Sequence, residues 1–119
     1  MEYIFINYPK CGTCKKAKAC LEEQNVRFTS RHIVEDNPKA EELKTWINES
    51  GLPIKRFFNT SGLKYKELNL KDRLPSMTDE EKINLLASDG MLVKRPILLF
   101  DGGILVGFKK DEWEALLKK

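Results

Sequence analysis

The run Tyr3-Ile4-Phe5-Ile6-Asn7-Tyr8 restricts the fold of this chain more than any other segment. It is short, nearly continuous in apolar character, and rich in aromatic and β-branched residues. That pattern predicts a central strand buried on both faces. Pro9 ends the run and Gly12 allows a tight turn. Residues 13–24 are rich in Lys, Ala, Leu and Glu, all good helix formers, with Ala17, Cys20 and Leu21 as the apolar stripe. A buried strand therefore runs straight into a helix, and Cys11-Gly12-Thr13-Cys14 stands at the junction.

The remainder continues the alternation. Residues 28–34 read as a second strand. Asp36-Asn37-Pro38 opens a helix through residues 40–47, with Gly51 as its C-terminal signal. A β-α-β-α opening implies two parallel strands joined by a right-handed crossover. The middle reads as short helical pieces: an apolar stretch at 54–58, a turn at Asn59-Thr60-Ser61-Gly62, and an amphipathic stretch at 65–70. A further helix begins at Thr78-Asp79-Glu80-Glu81 and runs to about residue 87. Asp89-Gly90 stops it. Residues 91–100 read as an apolar strand, Asp101-Gly102-Gly103 as a hairpin turn into 104–108, and residues 111–117 as a closing helix. The expected architecture is α/β and thioredoxin-like: a four-stranded mixed sheet flanked by helices. A helical insertion at about 52–90 precedes the C-terminal hairpin, all within one domain.

The composition narrows the function classes. At 119 residues the chain is long enough for a real core without disulfide staples. A net charge of +3 gives no broad nucleic-acid footprint. No segment reads as a signal peptide or a membrane span, so a cytoplasmic protein is expected, monomeric and with no cofactor bound. Three cysteines, two of them in one CxxC, make neither a secreted disulfide framework nor a four-thiolate zinc site. In a reducing compartment, a CxxC is more often redox-active or metal-binding than structural.

Cys11 is the candidate nucleophile. A thiol at the start of a helix meets the positive end of the helix dipole and unpaired N–H groups, which favour the thiolate. CxxC settings lower a cysteine pKa from about 8.5 to roughly 3.5–7.5. Cys14, one turn on, is the candidate resolving thiol. Lys10, Lys15, Lys16 and Lys18 surround the pair; each taken singly reads as part of a solvated face. Cys20 reads as a small core hydrophobe. His32, the only histidine, reads as structural, so neither a Cys-His dyad nor a Cys-Cys-His metal site is expected. Arg95-Pro96 is the second candidate pair. Proline at a strand start marks a bend or a cis bond, and Arg95 offers a five-donor fork to an anion; alternatively it is a surface arginine before an edge strand. The Asn59 to Gly62 cluster suits an oxyanion, or more simply a helix cap. Trp46, Phe57, Phe58 and Trp113 read as core anchors.

Taken together, Tyr8-Pro9-Lys10-Cys11-Gly12-Thr13-Cys14-Lys15-Lys16-Ala17, Phe57-Phe58-Asn59-Thr60-Ser61-Gly62, Leu92-Val93-Lys94-Arg95-Pro96-Ile97 and Val106-Gly107-Phe108 resemble the arsenate-reductase-related (ArsC-like) family, including its Spx/MgsR branch. The resemblance implies a thioredoxin-like fold with a cis bond before Pro96. It implies Cys11, Cys14 and Arg95 as catalytic residues, with Lys10, Gly12, Thr13, Asn59 and Pro96 at the substrate.

Three activities follow from the resemblance. The first is thiol–disulfide exchange, with reducing equivalents from thioredoxin, a glutaredoxin-type protein or a low-molecular-weight thiol. The second is redox-switched regulation through binding to the RNA polymerase α subunit, for which Gly51 falls near the glycine of the contacting surface. The third is arsenate reduction. Arsenate reductases of the family hold the oxyanion with several arginines. Arg95 stands at one such position, while Asn59 and Phe108 stand at two others, so arsenate is expected to bind weakly. Each missing charged hydrogen bond removes roughly 1.5–3 kcal/mol. The expected reading is the first, with no direct nucleic-acid contact.

Overall fold

The computed structural model describes residues 2–118. The elements are β1 (Ile4–Asn7), α1 (Gly12–Glu23), β2 (Thr29–His32), α2 (Ala40–Ser50), α3 (Leu63–Glu67), α4 (Leu70–Arg73), α5 (Asp79–Ser88), β3 (Ile97–Phe100), β4 (Gly103–Val106) and α6 (Lys110–Leu117). One-turn 3-10 segments lie at Ile54–Phe57, Leu74–Ser76 and Gly90–Leu92. The chain divides into two compact units. The first runs up to His32 and resumes at Arg95; the second is Ile33–Lys94.

The first unit carries the sheet, in the order β2-β1-β3-β4. β1 is an inner strand, as its apolar run predicted, with Phe5, Ile6 and Asn7 buried. It pairs in parallel with β2, Asn7 opposite His32, and antiparallel with β3, Ile6 opposite Ile97. β3 and β4 form the expected hairpin, turning through Gly102 at φ 87. The sheet is therefore mixed and four-stranded, flanked by helices.

The core of this unit follows from helical spacing. Cys14, Ala17, Cys20 and Leu21 are the buried residues of α1. Cys20, Ala17 and Leu21 pack with Phe5, Leu98 and Trp113. The Trp113 ring meets Phe5 edge-on at 6.2 Å and Phe108 at 5.2 Å, and its Nε1–H donates to the Gly107 carbonyl at 3.1 Å. That bond satisfies the one polar atom of a fully buried indole.

In the second unit, α2 ends in the left-handed residue Gly51 at φ 68, as its sequence predicted. α5 opens with a reciprocal capping box: the Glu81 N–H donates to Thr78 Oγ1 at 3.1 Å, and the Thr78 N–H donates to the Glu81 carboxylate at 2.8 Å. The Thr78 N–H and hydroxyl hold the Glu81 carboxyl below its usual range. Asn37 Nδ2 donates to the Ala87 carbonyl at 2.7 Å, satisfying an acceptor in the last turn of α5.

One predicted strand is shorter than its apolar run. Residues 91–93 do not extend β3. Instead the Asp89 side chain accepts from the Met91 N–H at 2.9 Å and starts a 3-10 turn. Val93 then bridges to Phe58, with the Asn59 N–H donating to Leu92 and the Lys94 N–H to Phe57, both at 2.7 Å. Leu92 and Val93 are apolar because they fill the second unit's core. The strand proper begins only after Pro96, which has no N–H for a ladder.

Gly90 is held against the backbone of Ile33, where a Cβ would overlap the Ile33 carbonyl. Nothing lies within 4 Å of a Cβ built at Gly12. Gly90→Ala is expected to lower stability by about 1–3 kcal/mol through overpacking. Gly12→Ala is expected to be neutral or slightly stabilising. Urea midpoints of the two variants, measured side by side, check this contrast.

Candidate thiol site

The register of the sheet assembles the site. β1 ends at Asn7, so Tyr8 to Cys11 leave the sheet at the C-terminal end of β1. β2 is parallel, which brings His32 to that same end, and β3 is antiparallel, which brings Arg95 and Pro96 there. Three segments distant in sequence converge because of strand direction alone.

Cys11 occupies the N-cap of α1 with extended φ/ψ of −84° and 126°. Its N–H donates to the Tyr8 carbonyl at 2.9 Å, closing the turn, and its carbonyl accepts from Lys15 at 3.1 Å. The sulfur lies among donors. Burial by itself pushes the Cys11 thiol up. Against it act hydrogen bonds from the Cys14 N–H, the Arg95 side chain, the Cys14 thiol and the Thr13 N–H, and together these bring the pKa below its ordinary value. The two N–H groups are among the orphan donors that every helix leaves in its first turn.

Cys14 is different in kind. It is 2% exposed. Burial pushes its thiol up to about 12; the Tyr8 N–H, 3.5 Å from Sγ, offsets part of this, and the neighbouring Cys11 adds to the rise. All three cysteines are thiols in this structure. Cys20, in the core, is pushed up by burial and by the nearby Glu114 and Glu23 carboxylates.

Arg95 is joined to Pro96 by a cis peptide bond, as the resemblance implied. Its guanidinium carbon lies 5.0 Å from the Tyr8 ring centroid. The Pro96 carbonyl accepts from the Gly107 N–H at 2.8 Å, and Gly107 adopts φ 78. Gly12 and Thr13 open α1, and Lys10, Lys15, Lys16 and Lys18 are all exposed, matching the solvated-face reading. A cavity of about 260 Å³ is lined by Asn7, Pro9, Cys14, Lys15, Lys18 and Ser30. Asn7, 6% exposed, donates through Nδ2 to Ser30 Oγ at 2.9 Å and to the Phe5 carbonyl at 3.1 Å.

The structure thus gathers Cys11, Cys14, Arg95, Pro96, Lys10, Gly12 and Thr13 in the first unit. Asn59 belongs to the second unit, where its carbonyl accepts from the Gly62 N–H at 3.1 Å. The helix-cap reading of that turn holds: Gly62 is the N-cap of α3, without a side-chain capping hydrogen bond. His32 packs edge-on against Tyr8 at 5.7 Å. Tyr8 and Asn7 were not singled out from sequence. The one available signal was that both close a buried strand immediately before the CxxC. Among the described residues, no group of three or more His, Cys, Asp or Glu is placed to hold a metal ion, and no helix is long and apolar enough to cross a membrane.

The sequence profile of the ArsC family matches residues 6–116. The chain is 53% identical to the protein YusI of Bacillus subtilis, over 96% of this chain and 97% of that one. It is 32% identical to the regulatory protein MgsR of the same organism, over 99% and 92%. The crystal structure of an ArsC-family-related protein from Bacteroides fragilis superposes with a TM-score of 0.94 at 58% identity, covering 98% of both chains. That of a possible arsenate reductase from Streptococcus mutans gives 0.84 at 44%, covering 90% and 91%.

The sign of the pH dependence follows from the two thiols. A lowered pKa keeps Cys11 as thiolate above that pKa, and the thiolate is lost as pH falls through it. Cys14 stays protonated up to about pH 12. Iodoacetamide is therefore expected to modify Cys11 first, with a midpoint below the ordinary thiol range. Arg95→Ala is expected to raise that midpoint by about one pH unit or more, the loss of a hydrogen bond to a charged group. Rates followed by peptide mass spectrometry from pH 5 to 10 check both statements.

Proposed function

The chain belongs to the ArsC family, and from that premise we propose that it is a thiol–disulfide oxidoreductase with Cys11 as nucleophile and Cys14 as resolving thiol. The observation that carries this reading is the asymmetry of the pair. Donors lower the pKa of one thiol, while burial raises that of the other to about 12 beside it.

The proposed cycle balances as follows. The Cys11 thiolate attacks one sulfur of a disulfide, forming a Cys11–substrate disulfide and releasing the other half as a thiolate. Consuming the Cys11 charge removes one of the influences that hold the Cys14 thiol up. Cys14 then gives its proton to water or to the departing thiolate and attacks the Cys11 sulfur. The Cys11–Cys14 disulfide forms and the second substrate thiolate leaves. The substrate disulfide has gained two electrons and the CxxC has lost two. An external dithiol, such as thioredoxin or a glutaredoxin-type protein, or two low-molecular-weight thiols, return them.

Arg95 serves as the anion-facing group near Cys11. Lys15 and Lys18 at the mouth of the cavity beside Cys14 suit a carboxylate-bearing thiol. Lys10, Gly12, Thr13, Asn59 and Pro96 are assigned to the substrate on the family resemblance alone.

A second reading is favoured by one observation: MgsR, a relative over nearly the whole chain, is a regulatory protein. In that reading the same two thiols form a switch, and the partner is the RNA polymerase α subunit. Arsenate reduction is the third, supported by the S. mutans neighbour and weakened by Asn59 and Phe108 at the arginine positions.

In Cys14→Ser, glutathione disulfide is expected to leave a stable glutathionyl adduct on Cys11, while wild type passes on to the internal disulfide. Intact-protein and peptide mass spectrometry read both. An adduct on Cys20, or none on Cys11, would overturn the assignment. Wild type that closes its disulfide but never turns over, and that captures the polymerase α subunit in one redox state only, would favour the switch.

A further inference from the structure

Tyr8 contacts Cys11, Cys14 and Arg95. Its carbonyl accepts from the Cys11 N–H at 2.9 Å. Its own N–H points at Cys14 Sγ, 3.5 Å away. Its ring lies under the Arg95 guanidinium, whose carbon is 5.0 Å from the ring centroid, inside the roughly 6 Å range of cation–π attraction. On another side the His32 ring stands perpendicular to it, at 5.7 Å and 89°. The two backbone bonds are open to any residue that adopts this turn. The contact with Arg95 requires an aromatic face.

We infer that Tyr8 is a positioning residue of this site: its ring holds the Arg95 guanidinium in place to hydrogen-bond the Cys11 sulfur. The inference rests on the reading of Cys11 as nucleophile and adds to it the residue that orders its cationic partner. An arginine side chain has many accessible rotamers, so an unsupported guanidinium spends much of its time away from a single sulfur. An aromatic face reduces that freedom without supplying an acceptor that would compete for the guanidinium donors. His32 packs against the ring edge-on. The chain of support runs from His32 to Tyr8 to Arg95 to Cys11, all at one end of the sheet. Strand pairing fixes the first step, since Asn7, which precedes Tyr8, lies opposite His32.

The test is the pH profile of Cys11 alkylation in folded Tyr8→Phe, Tyr8→Leu, Arg95→Ala and the double variant Tyr8→Leu/Arg95→Ala. Circular dichroism and thermal melts verify folding, and Tyr8→Met replaces Tyr8→Leu should the latter fail to fold. Tyr8→Phe keeps the ring and is expected to match wild type. Tyr8→Leu is expected to raise the alkylation midpoint toward that of Arg95→Ala, and to lower the rate at pH 7 by roughly three- to tenfold. In the Arg95→Ala background the same change is expected to do nothing further.

An unchanged profile in Tyr8→Leu would overturn the inference. So would an equal loss in Tyr8→Phe, which would implicate the hydroxyl, or an additive effect in the double variant, which would mean that Tyr8 acts independently of Arg95. These outcomes are separable from failure of the functional reading. That failure appears without any change at Tyr8, as a wild-type Cys11 with an ordinary midpoint or as a Cys14→Ser variant that gains no glutathionyl adduct on Cys11.

Discussion

The site depends on a contest at one sulfur. Burial opposes a charge on Cys11, and the donors around it favour one. The donors come from independent places: the first turn of α1 supplies two backbone N–H groups and the Cys14 thiol, and Arg95 supplies its guanidinium. Neither source is accidental. A helix must leave N–H groups unpaired at its start, and an antiparallel β3 must bring the residues before its first strand position, Arg95 and Pro96, back to the end of β1. The sheet order β2-β1-β3-β4 is thus the arrangement that sets thiol and guanidinium side by side.

The same arrangement separates the two cysteines chemically. Cys11, at the N-cap, is partly accessible. Cys14, one turn into the helix on its buried face, is shut away and protonated. In the proposed cycle, attack and resolution therefore fall to different residues. The asymmetry fits an enzyme and a redox switch alike, because both need one thiol that reacts first and one that follows. What divides them is whether a substrate leaves or a partner stays. Exposed lysines around the thiols add positive charge to the approach without fixing a single ligand geometry.

Much of this was legible in the sequence, for identifiable reasons. The apolar run 3–8 announced an inner strand, and the Lys/Ala/Leu-rich stretch after Gly12 announced α1. Gly51 and the Thr78-to-Glu81 box marked helix ends through local chemistry alone. The run 91–100 misled because burial in the second unit's core and burial in a strand produce the same hydrophobicity; only the Asp89 cap and the Phe58 bridge separate them. The Asn59 turn reads as an oxyanion cradle or a helix cap because polar residues suit both, and Gly62 supplies the cap. Tyr8 escaped notice because its importance lies in Arg95, 87 positions away in the numbering, and no local pattern encodes a contact made by strand direction.

The most direct measurement is steady-state reduction of a glutathionyl mixed disulfide, coupled to thioredoxin and its reductase, in wild type and in Cys11→Ser. The account predicts saturable turnover that is abolished in Cys11→Ser. Absence of turnover in wild type, or turnover that survives in Cys11→Ser, would contradict it.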